Sequence, residues 1–296
     1  MEEIVECDLV EAAKIGDLQR VQALLDSGSE PNECNAEGAT ALMMAASGAH
    51  VDVVRLLLER GADPNARTPK GATPLWTSIT GGSGEVVRLL LEHGADVRAE
   101  GRLGTYPLFR AVAQGRLEIA QVLLDAGADV GSVSKGGLTP LRFAAGTGDT
   151  AAVRLLIQYG SDVNAADDHG HTALTSAAMK GLVDIASLLL QAGADVNGGP
   201  KTRVTPIGVA TVQGDSKMVR LLLDHGATTR AFPNGASAVA VARSRPEILA
   251  MLKHADGSDL GDAARAGDLE GVRTILNSRA HVASVAANSQ PLPPSM

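Results

Sequence analysis

The chain has 296 residues, 45% of them hydrophobic, but only one Trp, two Tyr and three Phe, so any core must be built from Ala, Leu and Val. A formal charge of −8 lacks the basic excess of a nucleic-acid-binding surface, and Cys7 and Cys34 form neither a disulfide framework nor a metal-ligand spacing. No apolar run reaches the roughly 18–20 residues of a membrane-spanning helix, so no membrane insertion is expected.

The N-terminal stretch MEEIVECDLVEAA carries acidic residues where a secretory leader would be basic. Cytoplasmic residence is expected, with the nucleus also compatible. Residues 1–37 read as a capping unit. They lack the opening signal of the later segments and place Glu11, Lys14, Gln19 and Arg20 among apolar positions, which gives a polar outer face.

From residue 38 a plan repeats. Gly-x-Thr-Pro-Leu, or a variant of it, starts at Gly38, Gly71, Gly104, Gly137, Gly170 and Arg203, each 33 residues after the last, and Gly235 follows after 32. Thr73-Pro74, Thr139-Pro140 and Thr205-Pro206 set a capping hydroxyl before a proline that needs no backbone donor. A short Ala-rich helix follows, such as Leu42 through Ala46, then a turn at Gly115, Gly148, Gly181 or Gly214. The second helix carries a wide apolar face, as in Val53, Val54, Leu56, Leu57 and Leu58. Gly61, Gly94, Gly127, Gly160, Gly193 and Gly226 stand where a left-handed residue stops it. Asp-x-Asn at 63–65, 162–164 and 195–197 leads into the connection. Residues 38–234 therefore hold six repeats, and 235–258 a shortened one in which Pro246 is expected to open the second helix. Residues 259–280 align without gaps against 8–29. They read either as a terminal helical cap or as the opening of a second set. Residues 281–296, with Pro291-Leu292-Pro293-Pro294, are expected to be an unpacked tail.

A 33-residue period with Thr-Pro-Leu openings resembles the ankyrin repeat over roughly residues 8–258, and the terminal pair extends it to about 280. The resemblance implies an all-α solenoid of stacked helix-turn-helix units with hairpin-like finger loops. It also implies a non-catalytic scaffold, monomeric, that binds a protein partner through first-helix faces and fingers. A regulatory ankyrin portion of a larger protein is the alternative. Asn65, Asn164 and Asn197 resemble positions that asparaginyl hydroxylases modify in such proteins.

The family carries a His just after Thr-Pro-Leu. Here that position reads Met43, Trp76, Phe109, Arg142, Thr175, Gly208 and Ala240. Trp76, Tyr106, Phe109 and Phe143 open three consecutive repeats, beside Arg110 and Arg142. These residue types dominate binding hot spots, yet they would equally fill gaps left by the missing His. The finger tips of this half add Arg67, Lys70, Glu100, Arg102 and Lys135. Those of the later half add Asp167, Asp168, His169, His171 and Lys201. Asp167, Asp168, His169 and His171 together could ligate a divalent metal, the rival to a solvated contact surface. Gly81-Gly82-Ser83-Gly84 has no preceding strand or following Lys, so it is no phosphate loop. With no nucleophile elbow or paired-His helix either, catalytic, cofactor and metal residues are expected to be none. His93 and His225 fall in last helical turns, where a ring suits the helix dipole.

Overall fold

The structure is a computed structural model. It describes residues 8–101, 104–134, 136–198, 205–229 and 237–257, together with Ala264, Val272, Arg273 and Leu276. Arg102, Lys135, Lys201, nearly all of 259–280 and the tail 281–296 lie outside the described residues. The chain divides into two compact units: Met1–Ala144 with Ala151–Ser161, and Ala145–Thr150 with Asp162–Met296.

In the first unit, helix pairs follow the repeat: α1 (Asp8–Ile15) and α2 (Leu18–Asp26), α3 (Ala41–Ser47) and α4 (Val51–Glu59), α5 (Pro74–Gly81) and α6 (Gly84–Glu92), α7 (Pro107–Ala113) and α8 (Leu117–Asp125). First helices pack on first helices, α1 on α3 on α5 on α7, and second helices on second, α2 on α4 on α6 on α8. Leu42, Leu57, Leu75, Ile79, Leu90, Leu108 and Leu123 fill the space between the two layers and are at most 1% exposed. Each contributes about 1.5–3 kcal/mol by leaving water. The division into units runs through the pair α9 (Pro140–Thr147) and α10 (Thr150–Gln158).

The second unit repeats the plan with α11 (Ala173–Lys180), α12 (Val183–Gln191), α13 (Pro206–Gln213), α14 (Ser216–Asp224), α15 (Ala238–Val241) and α16 (Pro246–Asp256). A short 3₁₀ turn, Ala242–Ser244, follows α15, and Pro246 is the first residue of α16. Among the described residues there is no strand, only an isolated bridge between Cys34 and Thr40. No described helix is long and apolar enough to cross a membrane.

Local chemistry sets the helix ends. Thr40, Thr73, Thr172 and Thr205 accept a hydrogen bond from the backbone N–H three residues on, so the first turn keeps a partner for an otherwise orphaned donor. At the C-terminus of α6, Gly94 sits at φ 87°, the Gly94 amide donates to Leu91 and the Ala95 amide to Leu90. A Cβ on Gly94 would meet nothing within 4 Å, so backbone conformation alone selects glycine there.

The turn between paired helices uses a left-handed residue too: Gly16, Gly82, Gly115, Gly148, Gly181 and Gly214. In the second pair that position is Ala49, at φ 58°, the sole non-glycine with positive φ among the described residues. An L side chain there costs about 1–2 kcal/mol. Ala49→Gly is therefore expected to stabilise the protein by about 1 kcal/mol, read as a rise in the denaturant midpoint at unchanged m-value.

Candidate functional site

The register positions after the proline or alanine of each first helix divide into two kinds. Met43 and Trp76 are buried, at 1% and 5% exposure. Two readings stood for them, a contact surface or filling of the gaps left by the missing His, and their burial supports the second. The Arg110 guanidinium lies over the Trp76 ring, 4.1 Å from its centroid, and is held there by a 2.5 Å hydrogen bond to the Thr80 hydroxyl. The ring also meets Gly101, where a Cβ would clash with Trp76 Cε3. Gly101 and Thr80 carry no sequence signal for this role. It exists only because they fall 25 and 4 residues from Trp76 in a folded repeat.

Phe109, Arg110, Arg142, Phe143 and Tyr106 are half-buried. The Phe109 and Phe143 rings meet edge to face, 5.5 Å between centroids and 63° between planes. Phe143 stands one register step beyond Phe109, so an aromatic pair forms across adjacent repeats. Arg142 follows the cap of α9, its backbone amide donating to Thr139 Oγ1. This cluster lies wholly in the first unit and keeps part of each side chain in solvent.

The fingers share one turn. Asn35, Thr68, Gly101, Ser134 and Asp167 each donate their amide to the carbonyl four residues on. Arg67 and Lys70 are exposed, and Arg67 reaches the Glu100 carbonyl of the next finger at 2.5 Å. Asp168 and His169 are exposed and His171 half-buried. Asp167, expected at a solvated tip, is instead 8% exposed. Its Oδ1 accepts from the amides of His169 and His171 at 2.9 and 2.8 Å, and its Oδ2 stands 3.4 Å from His171 Nδ1. A carboxylate committed to closing its own turn is a poor start for a metal site. Among the described residues no three His, Cys, Asp or Glu side chains gather as a metal-ligand set.

The asparagines of Asp-x-Asn are latches. Asn65 Nδ2 donates to the Gly94 carbonyl and its Oδ1 accepts from the Asp96 amide, both at 2.8 Å. Asn32 does the same with Gly61 and Asp63, and in the second unit Asn164 with Gly193 and Asp195. Asn197 Oδ1 accepts from the Thr228 amide. His93 and His225 turn Nδ1 onto the carbonyls of Leu89 and Leu221, each at 2.9 Å, within their own last turns. The Tyr159 hydroxyl donates to Asp125, which holds its pKa above the usual phenol value. None of these groups converges with a second titratable side chain and an open concavity in the way a reacting centre requires.

The family profile described as "Ankyrin repeats (3 copies)" matches residues 9–101 and 108–199. Among solved structures, the ankyrin repeat domain of Bcl-3, described as a unique member of the IkappaB protein family, is 31% identical. That match covers 74% of this chain and 99% of the Bcl-3 domain, with a TM-score of 0.67. No curated protein matches the chain significantly.

Proposed function

The chain belongs to the ankyrin-repeat family, and on that premise we propose that it is a non-catalytic module that binds a protein partner through the first-helix face around Phe109, Arg110, Arg142 and Phe143. The edge-to-face Phe109–Phe143 pair carries the reading. Half-exposed aromatics flanked by guanidinium groups are rare in a chain with so few aromatics, and such clusters supply most of the energy of protein interfaces. Arg110 is already fixed by Trp76 and Thr80, so little side-chain entropy is lost when a partner docks. The partner chemistry that fits is an apolar side chain beside a carboxylate.

Arg67 and Lys70 extend the surface toward the fingers, while Asp168, His169 and His171 belong to the second unit and form a separate contact area. The same surfaces would serve a regulatory ankyrin portion of a larger protein, a reading that the likeness to the Bcl-3 domain favours. The reading takes the chain as a monomer in the cytoplasm or nucleus.

The test is an affinity pull-down from native lysate with wild type and Arg142→Glu, circular dichroism confirming that both are folded. A discrete partner retained by wild type is expected to fall at least about tenfold on the variant, since one buried charge contact commonly carries more than 1.4 kcal/mol. An unchanged partner list from a folded Arg142→Glu removes this face from consideration.

A further inference from the structure

A second surface of the first unit departs from the repeat at several register positions at once. Where Asn32 and Asn65 latch one finger base to the next, the following repeat has Arg98. Arginine carries no acceptor, so the Asp129 amide loses the side-chain oxygen that serves Asp63 and Asp96. Where Ala66 and Ala99 stand in neighbouring repeats, residue 132 is Ser. Its hydroxyl is buried and has no hydrogen-bond partner, in a residue only 7% exposed. Where Arg67 and Glu100 stand, residue 133 is Val, 48% exposed. Where Thr40 and Thr73 cap their helices, Tyr106 makes no capping bond.

These departures meet in one cleft of about 820 Å³, whose lining includes Val97, Arg98, Tyr106, Asp129, Ser132 and Val133. Arg98 and Tyr106 give up bonds that the two preceding repeats make, Ser132 leaves a buried hydroxyl unpaired, and Val133 puts an apolar side chain in water. Local rules broken together, without a structural return, mark a place under functional demand. We propose that this cleft is a binding site for an extended peptide segment carrying a carboxylate side chain next to an aliphatic one.

The chemistry selects that occupant. The groups offered to a ligand are donors: the Arg98 guanidinium, which pairs with no carboxylate among the described residues, the Ser132 hydroxyl and the Asp129 amide. An acceptor bearing one negative charge matches them. The Asp129 carboxylate, whose Oδ1 accepts from the Gly131 amide, stands at the same rim and opposes dense anions such as phosphate. Val97, Val133 and the Tyr106 ring supply the apolar floor. The missing latch leaves backbone groups at the finger base for an extended chain to pair with, the mode by which peptides add to exposed backbone edges.

Arg98→Asn tests the assignment because it removes the cation and restores the latch together. A random decapeptide display library is selected on the immobilised full chain, and selected peptides are then measured on wild type, Arg98→Asn and Arg142→Glu. The expected result is a set of peptides that bind wild type at least tenfold tighter than Arg98→Asn, carry Asp or Glu beside an aliphatic residue, and bind Arg142→Glu unchanged. Retained binding to Arg142→Glu separates this cleft from the first-helix face, so either surface can fail alone. Absence of any peptide that discriminates wild type from Arg98→Asn overturns the proposal, as do discriminating peptides that lack a carboxylate. The melting temperature of Arg98→Asn is expected to rise by about 2–4 °C as the finger bases lock. A fall would show that the cleft is not an unmade latch.

Discussion

Trp76→Ala is expected to lower the unfolding free energy by about 3–5 kcal/mol, the range for removing a fully packed aromatic side chain. The ring is 5% exposed, covered on one face by the Arg110 guanidinium and fitted against Gly101. Its removal leaves a void that backbone cannot fill, because Gly101 has no side chain to move in. It also strips Arg110 of the surface that holds it over α5. Guanidinium denaturation of the full chain measures the effect as a lower midpoint, and a change below about 1 kcal/mol would mean that the ring contributes as an exposed contact would. Loss of partner binding in this variant would therefore report on folding, which is why Arg142→Glu is the better probe of the surface.

Gly81→Ala is expected to destabilise although it replaces a helical glycine by the best helix former. Propensity alone favours the change by about 1 kcal/mol. The Cβ would lie 2.5 Å from the Ala46 carbonyl oxygen and 2.9 Å from that of Ser47, backbone atoms of α3 that cannot rotate aside. Separating two packed helices costs about 1–3 kcal/mol and more where backbone must shift. The clash wins, and the thermal midpoint is expected to fall by several degrees at about 2–4 °C per kcal/mol. A higher midpoint would show that α3 and α5 have slack at this crossing. The contrast with Ala49→Gly is instructive: one site needs glycine for closeness, the other for φ, and only the second is predictable from turn register.

Much of the fold was legible in the chain. The 33-residue period, the Thr caps, the left-handed glycines after each second helix and Pro246 at the start of α16 all act over a few neighbouring residues, so a linear reading reaches them. The candidate contact residues were legible as types but not as environments. Met43, Trp76 and Phe109 occupy one register position, yet two are buried and one is half-exposed. The asparagines looked like modification positions by resemblance, and they turn out to join residues 29 and 31 positions away. Asp167 looked like a solvated carboxylate and instead closes its own turn.

The sequence by itself determined the repeat, its helix boundaries and the family, because each rests on local hydrogen bonding, backbone conformation and apolar spacing. Only the tertiary structure decided which polar and aromatic side chains are buried and which keep contact with solvent. That choice depends on what the adjacent repeat presents: Gly101 and Arg110 enclose Trp76, whereas Phe109 finds another aromatic, Phe143, and stays half in water. Burial is a property of the pair of repeats, and the residues that settle it stand about one period apart in the chain.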